Sequence, residues 1–349
     1  NKVAISTASL VVAALLLGTG VSIWQARVAF KERDEKEIAL KEARAAEDAA
    51  NNARMELEGF NERLNATTVL LASGRAHADA QRWQDAYRAY TETTQTLPNY
   101  FLVWLERGRL NANLGRWNAA ASDFAKAVEI GRPVGRAELS GVPQLLYYAG
   151  ELPAYEQICE ALRGSENDDP MAVVIRGKLV GEISSTNAAE LAEGVEQNLA
   201  ILSDELDSKS DGGRKHHYAS MLYGANLYVA GWAHLRAGNH ARALERLEAS
   251  NGATWLGRGI AQPLIAIAHH RTGNAEEALR SFEQSQALLD RLLDESVDRE
   301  SGAPTIPWID WIEFLLTHRE ASIVVKGHTP AIDPRLRQRQ SSADAAIGE

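Results

Sequence analysis

Cysteine is nearly missing from this sequence: Cys159 is the sole one in 349 residues. No internal disulfide can form, and a structural zinc site built from thiolates is excluded. A basic excess is missing too. Forty-seven acidic residues against 37 basic leave a net charge of −10. With a pI near 5.5, this argues against nucleic acid as a partner, because phosphate binding needs a cationic face. The acidic balance reads as ordinary solubility. Charge of either sign is absent from Val3 to Trp24, and proline is absent from Arg27 to Arg63. These two gaps mark the first two segments of the chain.

Val, Ala, Leu and Ile make up most of Val3–Trp24. At about 1.5 Å per helical residue the run covers about 33 Å, enough for a hydrocarbon core of about 30 Å. Trp24 suits the headgroup zone, and Arg27, Lys31 and Arg33 stop the span. A secretory signal peptide would have a shorter apolar run and a small-residue cleavage site, so residues 1–26 are expected to be a single-pass transmembrane helix contacting the membrane through 3–24. Lys2 and the downstream cations flank both ends, which leaves the orientation open. The first residue is Asn and not Met, so more chain is expected upstream.

Residues 27–66 read as a charged helical stalk. About half of Arg27–Arg63 is charged and much of the rest is alanine, a mixture of strong helix formers. Lys31–Glu35 and Glu37–Lys41 are favourable i,i+4 pairs, while Glu58–Glu62 is not. Ala46, Ala50, Ala53, Leu57, Phe60, Leu64 and Leu71 form a thin seam at spacings of three, four and seven. A solvated helix is preferred over a homodimer formed through that seam.

Past the stalk a pattern repeats. Gly74, Trp83, Ala86 and Tyr90 recur 34 positions later as Gly108, Trp117, Ala120 and Phe124, and Pro98 is nearly matched by Pro133. Small residues and aromatics at that period are the signature of the tetratricopeptide repeat, an antiparallel helix pair, and 67–134 holds two of them. Glycine and alanine let the helices approach, and the aromatics fill the space between. Gly115 suits the tight turn inside the second repeat; Gln81 stands in its place in the first, predicting a weaker turn.

The period then degrades. Residues 135–215 read as degenerate helical repeats: a helix, a turn at Gly150 and a second helix over Leu145–Leu162, a loop at 164–170, a pair over Val173–Ile183 and Ala188–Leu206, and a polar linker at 208–215. Residues 216–325 recover the pattern, with Gly231, Gly238, Ala243 and Leu247, then Gly273, Ala278 and Phe282. A last helix, Ile309–Val325, rich in tryptophan, is expected to cap the open end. Residues 326–349 are expected to be a disordered tail. The fold class is therefore all-α: a transmembrane helix and stalk followed by an α-solenoid.

These segments in this order resemble the C-terminal half of the large serine/threonine protein kinases of planctomycete-type bacteria. The resemblance rests on SIWQARVA at 22–29, KEARAAEDAA at 41–50, WLERGRLNANLGRWNAAASDFAKAVEIG at 104–131 and AHHRTGNAEEALRSFEQSQALLDR at 268–291. It implies a bacterial inner-membrane protein whose kinase domain, with its ATP and Mg, lies upstream, and a sensor role for this part. No glycine-rich loop, H-R-D, D-F-G or A-P-E motif occurs in this chain. Asp123-Phe124-Ala125 is the nearest, and the repeat register explains its Phe as core. The competing expectation is a stand-alone anchored adaptor for envelope protein assembly.

No catalytic residue, metal site or cofactor site is expected within these residues. His216-His217 and His269-His270 are adjacent on helices and diverge by about 100°; His77, His234 and His269 share one repeat position, a packing site. Cys159 reads as a small hydrophobe. Glu276-Glu277 and Asp168-Asp169 read as a helix first turn and a loop, where carboxylates are routine. The candidate peptide-binding groove is the polar face of each first helix: Arg75 and Asp79, then Arg109 and Asn113. The two arginines are suited to a peptide carboxylate.

Overall fold

The computed structural model describes residues 2–131, 139–162, 173–207, 214–257, 259–299, 301 and 303–349, with the backbone alone at 2–11, 13, 14, 173, 214 and 215. Expectations for Pro133, for the loop at 164–170 with Asp168-Asp169, and for most of the 208–215 linker fall outside these residues. The described residues contain fourteen α-helices and no strand. They divide into two units, 1–66 and 67–349.

The first unit is a stretch of α1, Lys2–Asp79, which continues into the second. Its alanine, glutamate, lysine and arginine need no tertiary support to favour helix. Lys41–Glu37 and Arg54–Glu58, each at 2.9 Å, pair along its exposed surface, and Leu57 and Phe60 of the seam are exposed. No helix among the described residues is long and apolar enough to cross a membrane; the expected span starts in residues 3–11, whose side chains are outside the described set.

The second unit is built from helical hairpins. After α1 come α2 (Trp83–Thr96), α3 (Phe101–Leu114) and α4 (Trp117–Ile130), then α5 (Val142–Ala149) and α6 (Leu152–Ala161). Next are α7 (Val173–Leu179), α8 (Ser185–Asp207), α9 (Arg214–Arg236) and α10 (His240–Gly252). The chain closes with α11 (Gln262–Arg271), α12 (Ala275–Val297), α13 (Trp308–Ala321) and α14 (Pro334–Ile347).

One turn joins five of the pairs. The backbone N–H of Arg82, Arg116, Glu151, Asn239 and Asn274 donates to the carbonyl five residues earlier, at His77, Asn111, Leu146, His234 and His269, over 2.8–2.9 Å. This is the Schellman closure, which needs a left-handed residue just before the donor. Glycine supplies it at 115, 150, 238 and 273; Gln81, at φ 56°, takes the same conformation with a side chain. The Gly150 turn belongs to the series, although its flanking sequence hides the repeat.

A second recurrence sets the spacing within a pair. A Cβ on Gly74 would lie 2.5 Å from the Tyr90 ring, on Gly108 2.6 Å from Phe124, and on Gly231 2.5 Å from Leu247. Each pair is sixteen residues apart, so the helices cross with backbone against a large side chain. Ala86, Ala120, Ala243 and Ala278, expected at these crossings, are fully buried, and Trp117 and Phe282 nearly so.

Two expectations for the C-terminal part are corrected. α13 does not cap an open end: it packs against α5 and α11, with Trp311, Ile312 and Phe314 buried. With its apolar side chains buried or half-buried and most of its polar ones buried, the helix lies within the packing and not over its end. Two of its three carboxylates, Asp310 and Glu313, are buried as well and converge on Arg176 of α7. Arg176 donates to Glu313 over 2.6 Å and 3.0 Å and also to Asp310. Gln144 of α5 donates to Glu313 over 2.8 Å, and the Tyr228 ring of α9 lies 5.6 Å beneath the guanidinium. Burial pushes the Glu313 carboxyl up against the pull of Arg176, with Asp310 adding to the rise. The tail is not disordered either: α14 packs on α2 and α12. Asp333 caps it by accepting from the Arg335 N–H at 2.8 Å, and Gly348 closes it.

Three stability changes are expected in urea unfolding. Gly108→Ala forces a methyl into the buried Phe124 ring and should cost about 1–3 kcal/mol. Gln81→Gly relieves the left-handed side chain and should gain about 0.5–1 kcal/mol. Arg176→Met leaves two buried carboxylates without their cation and should cost about 3–5 kcal/mol; a loss below about 1 kcal/mol, the level of an exposed pair, would contradict the cluster's role.

Candidate functional site

The two arginines of the expected groove meet on a third residue that sequence reading passed over. Arg75, near the end of α1, and Arg109, on α3, donate to the same Glu106 oxygen over 2.6 Å and 3.3 Å. The Glu106 side chain is 8% exposed, so these cations face an internal carboxylate before any ligand. Burial, with Glu106 next, pushes the neighbouring Tyr90 hydroxyl up to about 12. Asp79 and Asn113 are exposed; the Asp79 charge adds to the rise at Tyr90. Glu106 gave no sequence signal because a glutamate inside a helix reads as a solvated helix former.

The structure assembles a longer relay beside it. Arg107 grips Asp123 with two bonds of 2.6 Å and 3.0 Å. The Asn111 amide donates to Asp123 over 3.0 Å, and its oxygen accepts from Arg116 at 2.9 Å. Arg116 sits at the α3–α4 turn and is buried. It donates to Asp344 of α14 over 2.6 Å and to the Glu349 carboxylate, which also accepts from the Tyr87 hydroxyl at 2.9 Å. The Arg339 guanidinium lies against both Trp117 and Trp311, 4.8 Å and 5.4 Å from their rings. Burial pulls the Arg339 pKa down to about 10. Chemically, arginines here hold carboxylates of the chain itself, and two indoles hold one of its guanidinium groups. Arg107 and Arg116 were missed because each is one arginine among many; only the turn register, which puts Asn111 where His77 and His234 stand, could have flagged the position.

A cavity of about 690 Å³ opens nearby, bounded by Tyr148, Leu289, Leu315, Leu336 and the segment 329–334. His318 of α13 lines it while buried. Its Nδ1 is 2.7 Å from the Ser285 hydroxyl, its Nε2 3.2 Å from the Gln286 oxygen, and it stacks on Phe282 at 5.1 Å. Burial lowers the His318 pKa to about 4, with Asp290 acting weakly the other way.

The remaining candidates sit apart. His77, His234 and His269 occupy equivalent turn positions on three different hairpins; His234 pairs with Glu196 at 3.1 Å. Burial pushes the Cys159 thiol up, away from the thiolate a nucleophile needs. Among the described residues no group of three or more His, Cys, Asp or Glu is placed to hold a metal ion. No protein-family model matches the sequence, and no curated protein matches it.

His318 gives a pH prediction. Its folded pKa is depressed from 6.5 to about 4, so between those values the unfolded chain binds a proton that the folded one refuses. The stability it contributes is complete above pH 6.5 and is lost as pH falls towards 4, a fall of about 3 kcal/mol. Urea titrations across that range should show the slope, and His318→Gln should flatten it.

Proposed function

We propose that this chain is a membrane-anchored tetratricopeptide-repeat region that binds a protein or peptide, the non-catalytic C-terminal part of a bacterial serine/threonine protein kinase. The observation that supports it most is repetition in space: five hairpins closed by one turn, three of them crossing at glycines sixteen residues from their contacts. Stacked helical hairpins of this kind serve as protein-binding scaffolds. Residues 3–24 are the proposed single-pass anchor in the inner membrane, and the charged part of α1 is the spacer between anchor and hairpins. ATP and Mg would be handled by the upstream kinase domain, and ligand occupancy on the hairpins would be passed to it. The exposed stalk seam, with Leu57 and Phe60, is where two copies would pair.

The test is a blot of cell membranes with an antibody against residues 67–325. A carbonate-resistant membrane band well above 38.1 kDa, with phosphoryl transfer by the immunopurified protein, is the expected result. A membrane band near the calculated mass would sink the kinase reading and leave the stand-alone adaptor. A band in the soluble fraction would overturn the anchor.

A further inference from the structure

We infer that α14 is an internal ligand: it reversibly occupies the surface of the first two hairpins on which an amphipathic helix of a partner protein, of the same chemistry, docks. This rests on the protein-binding reading above and specifies its site and partner.

The form of α14 is that of a helix laid in a groove. Arg339, Ala343 and Ile347 are buried at a spacing of four, while Arg337, Gln338, Ser341 and Ala345 around them are exposed. A buried stripe one residue wide marks a helix docked by a single edge; core helices such as α11 bury six consecutive residues. The receiving surface is a separate apolar cluster, Leu71, Ala86, Tyr90, Leu110 and Leu114, which Ala343 and Ile347 complete. This cluster is separate from the main core, which α14 meets through Leu336 and through Arg339 on Trp117 and Trp311.

Besides its buried stripe, α14 is held by charge at its two ends. Arg335 pairs with Asp290 at 2.5 Å and Asp294 at 2.8 Å on α12. Asp344 and Glu349 pair with Arg116. All four carboxylates are a third or more exposed, so salt reaches and screens these pairs. The segment joining α14 to α13 begins at Gly327, φ 80°, and runs to Asp333, with its His328 carbonyl accepting from the Ser322 hydroxyl at 3.0 Å.

The seat defines the partner. Uncovered, it presents a small apolar slot, a nearly buried Arg116 cation and the Trp117 face. The matching ligand is a helix with a small and a larger apolar residue four apart, a carboxylate directly after the first and another two residues beyond the second, as Ala343, Asp344, Ile347 and Glu349 are arranged. An arginine one turn earlier, in the place of Arg339, stacks on the tryptophans. Arg116 rejects a basic helix by repulsion, so the site is selective for sign as well as shape.

Two measurements on the full chain test this. Amide hydrogen exchange on the unmodified protein should show α14 opening about tenfold or more faster than α3 and α4, and faster still as salt is raised. Next, a fluorescent synthetic peptide of residues 334–349 is titrated into the unmodified protein and into Ala343→Glu, which expels α14 in cis. The variant should bind the peptide about tenfold more tightly than the unmodified chain, the population advantage of a vacant seat, and Arg116→Ala added to it should abolish binding. Exchange of α14 in step with α3 and α4 would overturn the inference whatever the variant does. Rapid exchange with no peptide binding by a folded Ala343→Glu chain would overturn the docking site too. Neither outcome touches the anchor or the kinase reading, which the membrane blot decides separately.

Discussion

The architecture depends on the buried contact between Arg176 and the carboxylates Asp310 and Glu313. One guanidinium on a seven-residue helix organises α5, α7, α9 and α13, because every group it touches is out of reach of water. Such a cluster adds little to stability relative to an apolar replacement, but it punishes any arrangement in which one partner is missing. It therefore acts on specificity: α13 can settle at one depth and one rotation among the hairpins. With α13 fixed, Trp308 stacks on Phe124 at 6.3 Å and Trp311 packs by Trp117 at 6.5 Å. Hairpins distant in sequence are thereby drawn into one apolar core.

The hairpins were legible in the sequence for a local reason. Glycine at a left-handed turn and glycine against a ring are single-residue requirements, and they survive as a period of 34 or 35. Gly150 was read as a turn yet not as a member of the series, because the residues around it do not keep the aromatic pattern. Long-range partners were not legible. Arg75 and Arg109 looked free because the sequence does not say that Glu106 faces inward between them. The tryptophans of α13 were read as a cap because an apolar helix near the end of a solenoid has that default place; its real place needs Arg176, 134 residues away from Asp310. α14 was read as disorder because only Ala343 and Ile347 in it are apolar and buried, too few to register as a stripe without the groove that receives them.

The proposed function follows this division of labour. The repeated, local features build a surface, and the singular, long-range ones decide what that surface meets. Arg107, Asp123, Asn111 and Arg116 form a fixed rail of charge along the second hairpin, and α14 closes on its outer end. In the proposed reading, the ligand competes with the chain's own helix, so binding strength is set by a difference between two similar contacts and not by the depth of a groove.

The return of α13 and α14 also governs how the chain comes to fold. A plain array of hairpins touches only its neighbours and can condense one repeat at a time as it leaves the ribosome. Here the first two hairpins stay incomplete until α14 has been made, since Arg116 waits for a partner 228 residues further on. Arg176 likewise waits for Glu313, 137 residues away. Synthesis thus runs well ahead of consolidation, and early hairpins spend that interval with Leu71, Leu110 and Leu114 uncovered. Contacts of such separation slow folding, because long loops must close before the contacts reward that closure.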